Sequence, residues 1–208
     1  MPYLILVMLL FSITCRCYAG PVVTYAIDPA NSAAWFEVRY WGSSVVKGRL
    51  AVLQGRVELD EGVKGGRGEI GFDMNSVQTG REFVNDFIKS KRIFDTANFP
   101  TMTYKPSRFE FAGERLVATD GELTLHGVTR AVRLDVKRFV CQDVLASLLF
   151  DVSNSPVDAP SAKLDKAFCY GEFATQILRS QFGMDSMSMV VNDEVNISAN
   201  LVLQKVSP

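Results

Sequence analysis

The residues able to do chemistry are few and scattered. The one histidine, His126, lies in GELTLHGVTRAVRLDV (residues 121–136), beside Gly127. A general base needs an orienting partner and a position facing substrate. His126 shares the parity of Thr124, opposite Leu123 and Leu125, so the alternation points it outward as a solvated turn residue. An enzyme would have to draw instead on Tyr40, Tyr104 or Asp86 as acid–base groups. Two arginines share a parity with apolar neighbours: Arg130 with Val132 and Leu134, and Arg179 with Phe173 and Ile177. An inward arginine is costly unless paired. Each therefore either forms a structural ion pair, with Asp86 or Asp95 as candidate partner, or meets a ligand head group such as a pyrophosphate or a quinone carbonyl.

The chain begins with an uncharged apolar run at residues 4–11, with small residues Cys17 and Ala19 before Gly20. The run is too short to span a bilayer, and the pattern reads as a secretory signal over residues 1–19, cut before Gly20. A lipoprotein-type cut at Cys15 or Cys17 fits its flanking residues poorly. The expected mature protein is one exported domain, residues 20–208, periplasmic or secreted. Only Cys141 and Cys169 survive the cut, and in an oxidising compartment two cysteines pair. That disulfide would close a loop of roughly 27 residues and contribute about 3–4 kcal/mol on the chain-entropy model. A reactive thiol would need a neighbouring base, and a metal site more ligands than these.

Charge excludes other classes. The chain holds 22 basic residues, one of them in the leader, against 23 acidic ones. So balanced a chain has no footprint for nucleic acid. No Lys/Arg cluster or basic amphipathic face fixes it to a membrane, so stable insertion is not expected.

The elements that must position these residues alternate with period two. Phe36, Val38 and Tyr40 share one face after Ala34, and residues 50–59 continue as a strand with Gly55 suggesting a bulge. A turn signal covers 61–66, and Phe72 and Met74 resume the alternation. Extended pieces follow at 101–104 (with Tyr104), 108–111, 116–126 (Leu123, Leu125) and 128–140 (Val132, Leu134). The last strand carries Val195, Ile197, Ala199, Leu201 and Leu203 on one face. Between strands, Phe83 and Phe87, and Val84 and Ile88, stand at i, i+4, predicting a short helix near 81–92 that exits through Ile93 and Phe94. Residues 153–160 read as a surface loop, and 171–183 fit either a helix or a strand. Many short strands with one amphipathic helix predict an all-β fold, an antiparallel sandwich or a closed barrel. The bulk of Phe36, Tyr40, Phe72, Met74 and Tyr104 on inward faces leans toward a barrel with a cavity.

Five ordered stretches resemble the YceI-like proteins. YAIDPANSAAWFEVRYWGSSVVKGRL (residues 25–50) is similar to the family's opening, and NSVQTG (75–80) to its Ser-x-x-Thr-Gly turn. The segment ending in Phe94-Asp95 and Phe99-Pro100, the hairpin GELTLHGVTRAVRL and RSQFGM (179–184) complete the resemblance, which runs from Tyr25 to about Leu203. The family usually places a histidine before the first glycine, where this chain has Tyr40-Trp41.

The resemblance implies a lipocalin-like antiparallel barrel of about eight strands, with an apolar channel for a polyisoprenoid chain, in secreted or periplasmic proteins not established as enzymes. It also implies a strand over 171–179. Phe36, Val38, Tyr40, Phe72, Met74, Tyr104, Leu123, Leu125, Val132, Leu134 and Ile177 then line that channel instead of filling a solid core. Phe83, Val84, Phe87, Ile88 and Phe94 either plug a barrel end or line the channel, and Arg179 is the candidate for the head group. The expectation is a non-enzymatic lipid carrier, needing no cofactor and no metal, with a homodimer left open. The alternatives are an enzyme acting on a bound prenyl lipid and a filled barrel that works through its surface.

Overall fold

Strands with one apolar face must bury that face, and an antiparallel sheet can do so alone by curling until its two edges meet. The computed structural model describes residues 22–60, 65–142 and 168–206, and its sheet closes in this way. The elements are β1 (Val22–Ile27), β2 (Ala33–Tyr40), β3 (Ser44–Asp60), β4 (Gly65–Gln78), α1 (Glu82–Lys89), β5 (Thr101–Ala112), β6 (Arg115–Leu125), β7 (Val128–Gln142), β8 (Phe168–Leu178), a 3₁₀ turn (Arg179–Phe182) and β9 (Val191–Lys205). The strand order is β1-β3-β2-β9-β8-β7-β6-β5-β4, with β3 also paired to β4 and β1 to β9. β1 and β2 share one place in the wall: β2 pairs with the start of β3 and of β9, β1 with their ends. The result is a closed eight-position antiparallel barrel with one short helix, as expected.

The irregularities have local causes. The pieces expected at 101–104 and 108–111 are one strand, β5, whose register skips between Pro106 and Arg108. Proline has no N–H for the ladder and is tolerated at such a bulge. Opposite it, Gly121 is required, because a Cβ there would lie 2.4 Å from the Lys105 carbonyl oxygen. The bulge expected at Gly55 falls at Leu53, which the register between Val52 and Gln54 leaves unpaired. Gly55 serves another purpose: a Cβ would come 2.4 Å from Ile27 Cγ1, so it lets β1 approach the barrel.

The strand implied over 171–179 ends at Leu178, and Arg179 opens the 3₁₀ turn. Cys141 and Cys169 are direct partners across β7 and β8, their sulfurs 2.03 Å apart. The leader at 1–19, part of the turn at 61–66 and the loop at 153–160 lie outside the described residues. Among the described residues no helix is long and apolar enough to cross a membrane.

Candidate ligand-binding cavity

The barrel is filled toward one end and hollow toward the other. The hollow is a cavity of about 720 Å³, within the range of small-molecule sites. Its wall comes from β2 (Phe36, Val38), β4 (Met74), β6 (Leu125), β8 (Ile177) and β9 (Val195, Ile197), all apolar. Deeper in lies a second, wholly apolar chamber of about 100 Å³, bounded by Phe72, Tyr104, Leu123 and Leu134 among others. Ala34, Met102 and Ile197 border both spaces.

The helix covers the mouth. Its amphipathic spacing turns Val84, Phe87 and Ile88 to the cavity. Asn85 ties it to the end of β4 by accepting hydrogen bonds from the Thr79 N–H (2.7 Å) and hydroxyl (2.8 Å). The exit turn folds back under the helix, where the Phe94 ring meets Phe36 edge-on at 5.7 Å. Asp95, held at φ 46°, accepts from the Asn98 and Phe99 amides, and Pro100 in turn accepts from the Met74 N–H. Phe99 then packs on the β6–β7 turn: its ring centroid lies 4.5 Å from that of His126, and a Cβ on Gly127 would strike it at 2.5 Å.

His126 is therefore not a solvated residue. It and Gly127 both have positive φ (51° and 75°), as a two-residue hairpin turn demands. The turn swings the imidazole across the barrel end, away from the parity it would have in a strand. Nδ1 lies 3.2 Å from the Phe182 carbonyl, which can only accept, so Nδ1 carries the proton.

Arg130, Arg179 and Asp193 also pin the 3₁₀ turn. Arg130 is expected inward and lies on the face of β7 whose Val128 and Val132 pack against the core. Its side chain is exposed and Nε donates to the Gln181 carbonyl at 3.2 Å. Arg179 is 7% exposed. It donates to four backbone carbonyls, those of Met184, Ser186 (2.7 Å), Val191 (3.0 Å) and Asn192 (3.0 Å). Neither Asp86 nor Asp95 pairs with it. Asp193 accepts from the Ser180 N–H and hydroxyl at 2.8 and 2.7 Å, and these bonds hold its carboxyl below the ordinary value. Arg179 edges the cavity with its hydrogen bonds already committed to backbone.

Of the remaining expected residues, Tyr40 stands at the mouth, 37% exposed. Val132 packs against the core without bordering either space. Phe83 is a correction: it is 82% exposed, because it lies one position off the helix face that carries Val84 and Phe87. Tyr104 is buried, with its hydroxyl near the carbonyls of Thr119 (3.1 Å) and Val132 (3.3 Å). Burial pushes the phenol above its ordinary value. Sequence reasoning missed Met184, Met187, Val190 and Val191, which border the mouth from the segment between the 3₁₀ turn and β9. Their signals were the largely apolar residues 187–191 and, for Met184, the end of RSQFGM. Val195 and Ile197 were visible as one face of the last strand but had not been joined to the site.

A closed antiparallel barrel with an apolar interior cavity belongs to the ligand-holding class of barrels. Residues 25–203 match the YceI-like domain, and the chain belongs to that family. A UPF0312 protein of Vibrio vulnificus is 26% identical over 120 residues, 56% of this chain and 64% of its own length. One from Shewanella denitrificans is 28% identical over 113 residues, 53% and 59% of the two chains. The match thus spans less than two thirds of these relatives. Among solved structures, Burkholderia cenocepacia BcnA superposes with a TM-score of 0.61 at 21% identity, covering 85% of this chain and 98% of its own. A polyisoprenoid binding domain from Saccharophagus degradans gives 0.59 at 16% identity, covering 88% and 98%.

Proposed function

We propose that this protein is an exported, non-enzymatic carrier that holds one polyisoprenoid lipid, of the isoprenoid quinone or prenyl phosphate type, inside the barrel. The observation that carries the reading is the apolar cavity of about 720 Å³, continued past Ala34, Met102 and Ile197 toward a second apolar chamber. A mostly apolar space, with Lys47, Thr79, Arg81 and Arg179 among its lining residues, suits a flexible hydrocarbon chain. Each buried CH₂ contributes about 0.8 kcal/mol, so several prenyl units offset the roughly 4–15 kcal/mol cost of association without any specific polar contact.

The name of the Saccharophagus domain, as polyisoprenoid binding, supports the same ligand class. The apolar leader and the facing cysteines support export and a Cys141–Cys169 disulfide in the mature protein. The carrier needs no cofactor. Two of the groups an enzyme could use are engaged elsewhere: His126 bonds the Phe182 carbonyl, and the Tyr104 hydroxyl is taken up by Thr119 and Val132.

Val38 and Val195 face each other across β2 and β9 in the cavity wall. Val38→Trp should extend a ring from this wall into the cavity and weaken uptake of a prenyl alcohol from detergent micelles at least about tenfold, as loss of a few buried methylenes requires. Uptake unchanged in this variant would place the ligand elsewhere.

A further inference from the structure

The rim of the cavity exposes apolar side chains from three segments far apart in sequence. Trp41, on the β2–β3 turn, borders the cavity and is 75% exposed. Phe83 stands on the outer side of α1, next to the cavity-lining Val84, and is 82% exposed. Met189 is 98% exposed, two residues past the lining Met187. None is required there by packing, and an exposed aromatic and Met rim around a cavity mouth marks an interaction surface.

The sequence showed no basic face that would fix the chain to a membrane, but α1 and its exit carry cations beside this rim, of which Arg81 borders the cavity. Arg81, Lys89, Lys91 and Arg92 form no ion pair among the described residues, and the exposed acids of the same segment are two, Glu82 and Asp86, with Asp95 buried in the exit turn.

We infer that this rim docks the barrel, mouth down, on the surface of a phospholipid bilayer containing anionic lipids. Tryptophan and phenylalanine settle at the boundary between headgroups and acyl chains, and nearby cations add attraction to an anionic surface. Docking would set the cavity mouth against the hydrocarbon, so a prenyl chain passes between bilayer and barrel without crossing water. A second copy fits the rim less well. An isologous contact would bring the same cations against their own kind, and it would seal the mouth. The inference rests on the carrier reading for its purpose, but the docking itself requires no cargo.

The test is co-sedimentation of the purified protein with vesicles of phosphatidylcholine and phosphatidylglycerol that contain no prenyl lipid. Uptake of a prenyl alcohol from detergent micelles is measured in parallel. The wild type should sediment with the vesicles, and Phe83→Ser and Met189→Ser should each reduce its partitioning, the former by about tenfold. Neither side chain borders the cavity, so both variants should take up the alcohol as the wild type does. A wild type that stays in the supernatant, or variants that sediment equally well, would overturn the docking. So would wild-type self-association that these substitutions abolish while vesicles go unbound, since the rim would then be a dimer face. Absence of uptake from micelles by the wild type would instead overturn the carrier reading, whatever the vesicles show.

Discussion

Arg179 shows how one side chain can organise the edge of a site. Its guanidinium satisfies the carbonyls of Met184 and Ser186, which lie outside any strand, and those of Val191 and Asn192 at the start of β9. Replacing it with methionine strands those acceptors in a buried place, and an unsatisfied buried group costs about 1–3 kcal/mol. Arg179→Met should therefore lower stability by about 2–4 kcal/mol in urea unfolding. An effect near zero would mean the segment holds itself. Asp193 fastens the same turn from the other side. Its carboxyl is held below its ordinary value, so its contribution is complete above that value, 3.8, and is lost as pH falls through the lower folded value. Hydrogen exchange at the Ser180 amide should accelerate over that acid range and, in Asp193→Asn, lose this pH dependence. At this scale the sequence was only partly legible. Parity placed Phe36, Met74 and Ile177 on inward faces, where they border the cavity. It failed for His126, Arg130 and Phe83, because a turn, a strand end and a helix edge each release a side chain from its strand or helix phase.

The elements followed from alternation wherever a strand had water on one side. The last strand, read from Val195, Ile197, Ala199, Leu201 and Leu203, is β9. The register breaks were harder to see, since a bulge is set by what lies across the ladder. Gly121 is the clearest case: nothing in its own stretch marks it, but the Lys105 carbonyl and Pro106 leave no room for a Cβ. Gly121→Ala should cost about 1–3 kcal/mol of stability, as overpacking does. Gly71→Ala, where the nearest atoms would be 3.8 Å away, should be near neutral by the same thermal denaturation. Equal effects at the two positions would point to backbone entropy as the cause.

On the scale of the whole molecule, closure and cavity are properties that no single stretch contains. Period-two patterning was compatible with a sandwich, and the barrel was preferred for the bulk of its inward residues and for a family resemblance. All five resembling stretches meet around the hollow end, the first of them through Phe36, which touches Phe94. Thr79 holds the helix through Asn85, Phe99 packs on the His126–Gly127 turn, and His126 reaches the Phe182 carbonyl. Those stretches are separated along the chain, so their convergence could be seen only in three dimensions. What they enclose is the central claim: a space kept apolar and open for a hydrocarbon chain.

The most direct test is organic extraction of the protein purified natively from an exporting host, followed by mass spectrometry. A polyisoprenoid recovered at about one per chain is the expected result, and its mass would give chain length and head group together. An empty extract, from a protein that also fails to take up added prenyl lipids, would contradict the carrier and leave the cavity without a ligand.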